Sequence, residues 1–337
     1  MKEKILNLVK YLFFLVLGVG LLLYVSRDLN VGEVLVEAGK MNFWFFALSG
    51  IMALASHYSR AVRWKYLINT LGHHPKTSNV FLSVLVMYLS NLVVPRSGEV
   101  ARCGSLFKYE SIPVSGLLGT VVVERLFDLV VLLLATVALI FLQFDTVASL
   151  YFASSIPNLV SNLLENKLFI AVALLALLGG LYFLYRFRNR LIQLKLVDKV
   201  IQFLLELKTG FLKVAELKQK WAFVGHTLFI WIMYFGMTYI CFFAYEPTAN
   251  LGVSAGLAVF VAGSYGMVAP TNGGIGAWHF MVITALGIFG IGNTEASSIA
   301  NVSFVIMTLT VALYGVAAFL LMPYLNGRNK INIEEKK

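Results

Sequence analysis

The chain has 337 residues, 59% of them hydrophobic and 13% charged, with a mean hydropathy of +0.81 and a net charge of +10. A soluble domain carries about a quarter charged residues, so this composition excludes an ordinary soluble enzyme and points to an all-α polytopic membrane protein. The basic residues lie between apolar runs; such residues orient spans and touch lipid headgroups, which argues against a nucleic-acid partner.

Lys2, Lys4 and Lys10 precede an apolar core that ends at Val25. No small-residue cleavage site follows, so this stretch reads as an uncleaved first span over 8–25. Further spans are expected over 41–56, 116–142, 167–185, 221–245 and 297–322, each near the ~20 residues that cross a hydrocarbon core. Two apolar pieces, 80–94 and 251–269, are shorter and end in breaks. The first break is Asn91-Leu-Val-Val-Pro95-Arg96-Ser97-Gly98-Glu99; the second is Gly266-Met-Val-Ala-Pro270-Thr271-Asn272-Gly273-Gly274-Ile275-Gly276. Pro270 − Pro95 and Gly273 − Gly98 both equal 175. A helix broken twice at one register suggests a transporter with two repeats.

Charge placement tests how the broken pieces run. Basic residues number three at the N-terminus, four in 59–78, nine against three acids in 186–220, and four after Met322. The segments 27–40 and 144–166 hold two basic residues against five acidic ones. By the positive-inside rule the first four regions, including both termini, are cytoplasmic, in a cell (plasma or inner) membrane. The 80–112 region must then contribute no crossings or two. Its second half carries Glu99, Arg102, Lys108 and Glu110 and is too polar to span. A re-entrant hairpin results, in along 80–94 and out along 99–111, with its tip lining a cavity. The second piece is read as re-entrant by analogy, although 276–291 is apolar enough that two crossings also satisfy the count. One integral membrane domain over 1–337 follows. It has two inverted repeats, about 1–145 and 165–325, each of two spans, a re-entrant broken hairpin and one span. Leu191, Leu194, Val197, Ile201, Leu204 and Leu205 recur near helical spacing among lysines, so 191–212 reads as a cytoplasmic amphipathic helix.

The hairpin tips are the first candidate site. Ser97 can cap the helix that restarts at Gly98, with Glu99 in its first turn; Thr271 or Asn272 can cap the second restart. Two helix N-termini then face into the membrane, which suits a phosphate or carboxylate, and Gly98, Gly273 and Gly274 allow close approach. Arg96, Ser97, Gly98, Glu99, Arg102, Asn272, Gly273 and Gly274 are therefore the candidate substrate-binding residues. Two kinked helices packing through small residues is the structural alternative. Glu99 and Arg102 at i,i+3 can pair on one helix face. Glu124, Arg125 and Asp128 form a charge cluster inside an otherwise apolar span, and ionisable groups at that depth face a cavity or a partner. The expected partners of Glu124 and Asp128 are Arg96 and Arg102. The cluster can bind an anion and balance its charge, or serve only to fix the hairpin.

Arg60, Arg63 and Trp64 read as an interfacial patch that anchors the second span or captures a headgroup. His279, after the second tip, is a weak candidate, since a lone His in an apolar helix is more often structural. Cys103 and Cys241 read as buried free thiols. No metal spacing and no cofactor signature occurs, and Gly273-Gly274-Ile275-Gly276 follows no strand–turn–helix pattern that would make it a nucleotide loop.

Four pieces together carry a family resemblance: Arg60-Ala-Val-Arg63-Trp64, the 91–102 break extended through Val100-Ala-Arg102, Val123-Glu124-Arg125-Leu126-Phe127-Asp128, and Pro270-Thr-Asn-Gly273-Gly274-Ile275-Gly276. In this set the chain resembles the transmembrane, flippase-like domain of lysylphosphatidylglycerol synthases, in a stand-alone form. The resemblance implies a membrane protein that translocates or binds an anionic phospholipid or lipid-linked substrate between leaflets, with membrane lipids as partners. The full synthases carry a soluble aminoacyl-transferase domain, and only fifteen residues follow Met322 here, so lysyl transfer is not implied. The reading is transporter-like rather than enzymatic. A membrane-embedded lipid-modifying transferase and a non-catalytic scaffold for a separate synthase are the alternatives, and a homo-oligomer is compatible with each.

Overall fold

The computed structural model describes residues 31–326 except 143–209 and positions 95, 211, 213 and 270. The expected spans over 8–25 and 167–185, and the surface helix over 191–212 apart from its last residues, lie outside the described residues. Within these bounds 31–136 and 217–326 belong to one compact unit and the remainder to a second.

The described apolar runs are helices. Their order is α1 (Val31–Gly39), α2 (Phe43–Asn69), α3 (Thr77–Val93), α4 (Gly98–Glu110), α5 (Val114–Leu142), α6 (Lys220–Phe242), the single turn α7 (Glu246–Ala249), α8 (Val253–Val268), α9 (Ala277–Ile288) and α10 (Asn293–Leu325). Three of them, α5, α6 and α10, are long and apolar enough to cross a membrane. The expected limits are reproduced closely for α3, α4, α5, α6, α8 and α9. The exception is α2. The second span was expected to stop near residue 56, with 59–78 a loop, but the helix runs on to Asn69. Four charged or polar residues ended the apolar run; they did not end the helix, because their side chains are buried against partners.

Contacts between α2 and α6 fix two ends of the unit. Ser49 Oγ donates to Met237 O, Ser59 Oγ meets His226 Nδ1, and Arg63 Nη1 donates to Thr227 Oγ1, so the helices are antiparallel. At one end lie the close of α2 and the start of α6. At the other, Met41, Phe46, Phe242 and Tyr245 pack with Ala296, Ile299, Ala300, Ala285 and Leu286 in one apolar cluster.

The first broken piece starts and finishes at the Asn69 end. Lys65 Nζ donates to Thr77 Oγ1 at its start. At its finish Glu110 Oε1 accepts from Lys76 N (3.0 Å) and Asn79 Nδ2 (2.6 Å), which ties the base of the α3–α4 hairpin. Asn79 is bonded in turn to Asn326 at the close of α10. The α3 helix then climbs α10 to the level of Gly315, beside Leu89. At 1.5 Å per residue α3 is roughly 25 Å long and α10 roughly 50 Å, so the hairpin reaches about half-way.

The second broken piece starts and finishes at the opposite end. Tyr239 OH donates to Leu251 O just before α8, and Ala285 and Leu286 close α9 within the apolar cluster. At its tip Gly266 is pressed against α9, where an added Cβ would lie 2.6 Å from Trp278 Cα. Gly273 (φ 57°), Gly274 (φ 85°) and Gly276 (φ 78°) turn the chain through left-handed backbone that side-chain-bearing residues avoid. The two tips meet. The turn at Asn272–Gly274 packs on α3, and a Cβ on Gly273 would sit 3.7 Å from Leu92 Cδ2.

The expected caps differ from those observed. Ser97 stands at the N-cap of α4 but makes no capping bond; its hydroxyl donates backwards to Ser90 O and Val94 O. The cap is Asn91, whose Oδ1 accepts from Gly98 N at 2.8 Å across the hairpin. Gly98 packs so closely on Met87 O and Asn91 that the amide is reached from α3 before its neighbour can reach it. Thr271 does not cap α9, which restarts only at Ala277 with Gly276 at its N-cap; the expected Asn272 cap falls on a side chain outside the described residues. Replacing Asn91 by Ala should cost about 1 kcal/mol of stability, as loss of a side-chain cap does, and Ser97→Ala less; thermal unfolding of the purified protein in detergent measures both.

Candidate functional site

The chemistry concentrates where α2, α4, α5 and α6 converge. Arg60 and Arg63 stand one helical turn apart on α2. Glu124 and Asp128 stand one turn apart on α5. This spacing lets two bases meet two acids as rungs of a ladder. Arg60 Nη1 donates to Glu124 Oε1 at 2.5 Å and to Asp128 Oδ2 at 3.1 Å. Arg63 Nη2 donates to Glu124 Oε1 at 3.1 Å and to Asp128 Oδ1 at 2.8 Å. From α4, Arg102 Nη1 reaches Glu124 Oε2 at 3.0 Å. Glu124, Arg63 and Arg102 are fully buried, and Arg60 and Asp128 nearly so.

Aromatic and hydroxyl groups complete the shell. The Arg102 guanidinium stacks 4.3 Å over the Trp64 ring, whose Nε1 donates to Thr120 Oγ1 at 2.8 Å. The α6 helix supplies Thr227, which accepts from Arg63 Nη1, and Tyr234, which accepts from Arg60 Nη2 at 3.1 Å. Tyr234 OH is 2.9 Å from Tyr88 OH on α3. The donor supply exceeds the acceptors. Among the described residues the Nε atoms of Arg60, Arg63 and Arg102 and Nη2 of Arg102 have no hydrogen-bond partner.

Several expected pairings are rearranged. Arg60, Arg63 and Trp64 do not form an interfacial patch; they are interior, because α2 continues past them and turns them onto α5. Arg96 does not pair with Glu124 or Asp128. It is exposed at the first tip, in left-handed backbone (φ 62°), and makes no ion pair among the described residues. Such a conformation in a non-glycine residue costs roughly 1–2 kcal/mol. Glu99 and Arg102 do not pair with each other: Arg102 turns inward to Glu124, and Glu99 takes Arg125 Nη2 at 2.6 Å. That Arg125–Glu99 pair stays accessible, with side chains 43% and 27% exposed. Gly98 is buried in the hairpin, while Gly273 and Gly274 form the second tip. His279 is buried, its ring centroid 4.5 Å from that of Phe304, as a packing residue with Nδ1 unpartnered among the described residues. Cys103 and Cys241 are free and buried, as expected.

The sequence reasoning passed over Asn91, Thr120, Thr227, Tyr88 and Tyr234. For the last three no local signal exists, since each becomes visible only once α6 is laid on α2 and α3. The ladder did have a signal: two bases and two acids, each a turn apart, on neighbouring apolar runs.

This architecture and these motifs agree with one family. Residues 8–315 match the lysylphosphatidylglycerol synthase TM region. The chain belongs to that family. It is a membrane protein with multiple spans, like the other lysylphosphatidylglycerol synthase TM regions. A similar curated protein is the UPF0104 membrane protein MJ1595 of Methanocaldococcus jannaschii, 29% identical over 178 residues. That match covers 49% of this chain and 50% of the relative, so the chain spans about half the length of the curated relative it matches. No solved structure matches this member of the lysylphosphatidylglycerol synthase TM family.

Proposed function

We propose that this protein translocates an anionic phospholipid or lipid-linked substrate between leaflets, with the headgroup passing where the two hairpin tips meet. Each broken piece is then a re-entrant hairpin, one from each side of the membrane, and the two halves are inverted repeats. The reading is supported by hairpins whose bases lie at opposite ends of the unit and whose tips touch through Leu92 and Gly273.

One observation carries the proposal. Arg125 and Glu99 form an accessible ion pair beside the first tip, although Arg125 lies eleven residues into the 29-residue apolar helix α5. That is roughly 17 Å from the start of the helix. Charged groups so deep face an aqueous cavity rather than acyl chains, because hydrocarbon exposure is expensive. The surroundings are also cationic. Arg60, Arg63, Arg102, Arg125 and the tip Arg96 make five guanidinium groups against the carboxylates of Glu99, Glu124 and Asp128. The excess suits a phosphate, and Arg96 and Arg125 are the groups exposed to meet one.

The test is leaflet exchange of a fluorescent phosphatidylglycerol in proteoliposomes. Wild type should exceed empty liposomes. Arg96→Ala, which disturbs no ion pair among the described residues, should slow exchange about tenfold, the equivalent of roughly 1.4 kcal/mol, without changing thermal stability. Exchange no faster than in empty liposomes, or an Arg96→Ala rate equal to wild type, would remove the proposal.

A further inference from the structure

Arg102 of α4 is fully buried, yet among the described residues only its Nη1 has a hydrogen-bond acceptor, Glu124 Oε2 at 3.0 Å. Its Nε and Nη2 have none. These two donors form the side edge of the guanidinium. Their N–H bonds point the same way and can take one anion together. Arg60 and Arg63 differ. Both Nη atoms of each are bonded, and only Nε is left over. Burial makes the Arg102 edge costly, because a donor taken out of water without an acceptor loses its hydration and gains nothing in return.

Charge points to what this edge takes. The ion pairs among the described residues join Arg60, Arg63, Arg102 and Arg125 to Glu99, Glu124 and Asp128, four cations against three anions. One positive charge is in surplus, at a depth where a net charge is expensive. Water would satisfy the two donors and leave the surplus; a monovalent anion answers both. The surroundings limit its size. Trp64, over which the Arg102 guanidinium is stacked, belongs to a buried apolar cluster with Ala61, Val84, Met87, Cys103 and Leu106. A lipid phosphodiester carries two substituents that must reach the bilayer, and a fully buried Arg102 offers them no way out. A halide carries no substituent.

We propose that the Nε–Nη2 edge of Arg102 binds one chloride ion in the interior where α2, α4 and α5 meet. The ion cancels the surplus charge and supplies the acceptor that two donors lack. The first hairpin is then held in place by an ion as well as by Glu124, and its stability depends on the anion in the medium. The site is distinct from Arg96 and Arg125, the exposed groups assigned to a passing headgroup, and it stands whether or not lipid passes between the tips.

The experiment compares the purified full chain in the sodium salts of chloride, bromide and gluconate at one ionic strength. In wild type the unfolding midpoint should rise with chloride to a plateau, by roughly a few degrees; bromide should substitute, and gluconate, too large to be sealed inside, should not. Arg102→Lys keeps a charge beside Glu124 but has no two-donor edge, and Arg102→Met has neither. Both variants should respond alike to chloride and gluconate, which also removes the general effect of each salt from the comparison. Arg96→Ala should keep the wild-type response. A direct reading needs no variant: anomalous diffraction from wild-type crystals grown in bromide should place one ion against Nε and Nη2 of Arg102. Equal wild-type midpoints in chloride and gluconate, a chloride response undiminished in Arg102→Lys, or no bromide at that edge each overturns the site.

Discussion

Replacing Glu124 by Gln should cost roughly 3–5 kcal/mol of stability, the range for breaking a buried ion pair from one side. Glu124 is the hub: one oxygen takes Arg60 and Arg63, the other takes Arg102, and all of these side chains are at most 3% exposed. An amide keeps one acceptor oxygen and turns an N–H2 towards a guanidinium that can only donate, so at least one arginine is left buried without its acceptor. Asp128→Asn should cost less. Its partners Arg60 and Arg63 both retain Glu124, and the Asp128 carboxylate is 11% exposed rather than sealed. Arg102→Met should also cost less, about 1–3 kcal/mol, because Glu124 keeps two guanidinium partners and the unpartnered Nε and Nη2 donors disappear with the arginine. The measurement is the thermal unfolding midpoint of each purified variant in one detergent. An Asp128→Asn penalty equal to that of Glu124→Gln would contradict the hub. The same residues give a coupling test: the double-mutant interaction energy of Arg60 with Glu124 should exceed that of Arg102 with Glu124, since the first contact is the shorter and is braced by Tyr234.

Apolar runs and charge located the long helices among the described residues and where they break, because both follow from the cost of exposing backbone and charge to hydrocarbon. The α3–α4 boundary is an example. Glu99, Arg102, Lys108 and Glu110 made a full span untenable, and the helix that carries them folds back along α3 to bond Glu110 to Lys76 and Asn79. The same reasoning failed at Arg60 and Arg63. Hydropathy treats an arginine as the end of a span, yet here two arginines sit inside a 27-residue helix because Glu124 and Asp128 neutralise them. Periodicity could have signalled this, as 60, 63, 64 and 67 continue one helical face. The caps were misread for another reason. Serine before a restarting helix is a good local cap, but the close approach of Gly98 to α3 hands the amide to Asn91, seven residues upstream. That outcome depends on tertiary packing, which spacing along the chain does not encode.

The distribution of charge sharpens the role of each tip. The first hairpin carries Arg96, Glu99 and Arg102, and each reaches a different setting: open tip, accessible pair and sealed ladder. The second tip carries no ionisable residue between Gly266 and Gly276 and is shaped by glycines in left-handed backbone. The first tip thus offers charge and the second offers close approach.

Gly98→Ala should destabilise the protein by about 1–3 kcal/mol, although a methyl in a helix ordinarily gains up to about 1 kcal/mol in propensity. The sign is decided by what the methyl meets. A Cβ at Gly98 would collide with the backbone oxygen of Met87 and lie 2.6 Å from Asn91 Nδ2, so α4 must lift from α3 and the cap on its own first amide is strained. The obstacle is backbone, which cannot rotate away. Gly266→Ala should behave alike, since its Cβ would lie 2.6 Å from Trp278 Cα and 3.0 Å from Ala277 O and would prise α8 from α9 at the second tip. Gly104→Ala is the contrast. It lies in the same helix as Gly98, faces no atom within 4 Å, and should stabilise by about 0.5–1 kcal/mol through the lower entropy of its unfolded chain. Thermal unfolding of the three variants side by side decides the matter: two losses and one gain are expected, and a gain at Gly98 or Gly266 would mean that the hairpin tips are looser than this packing requires.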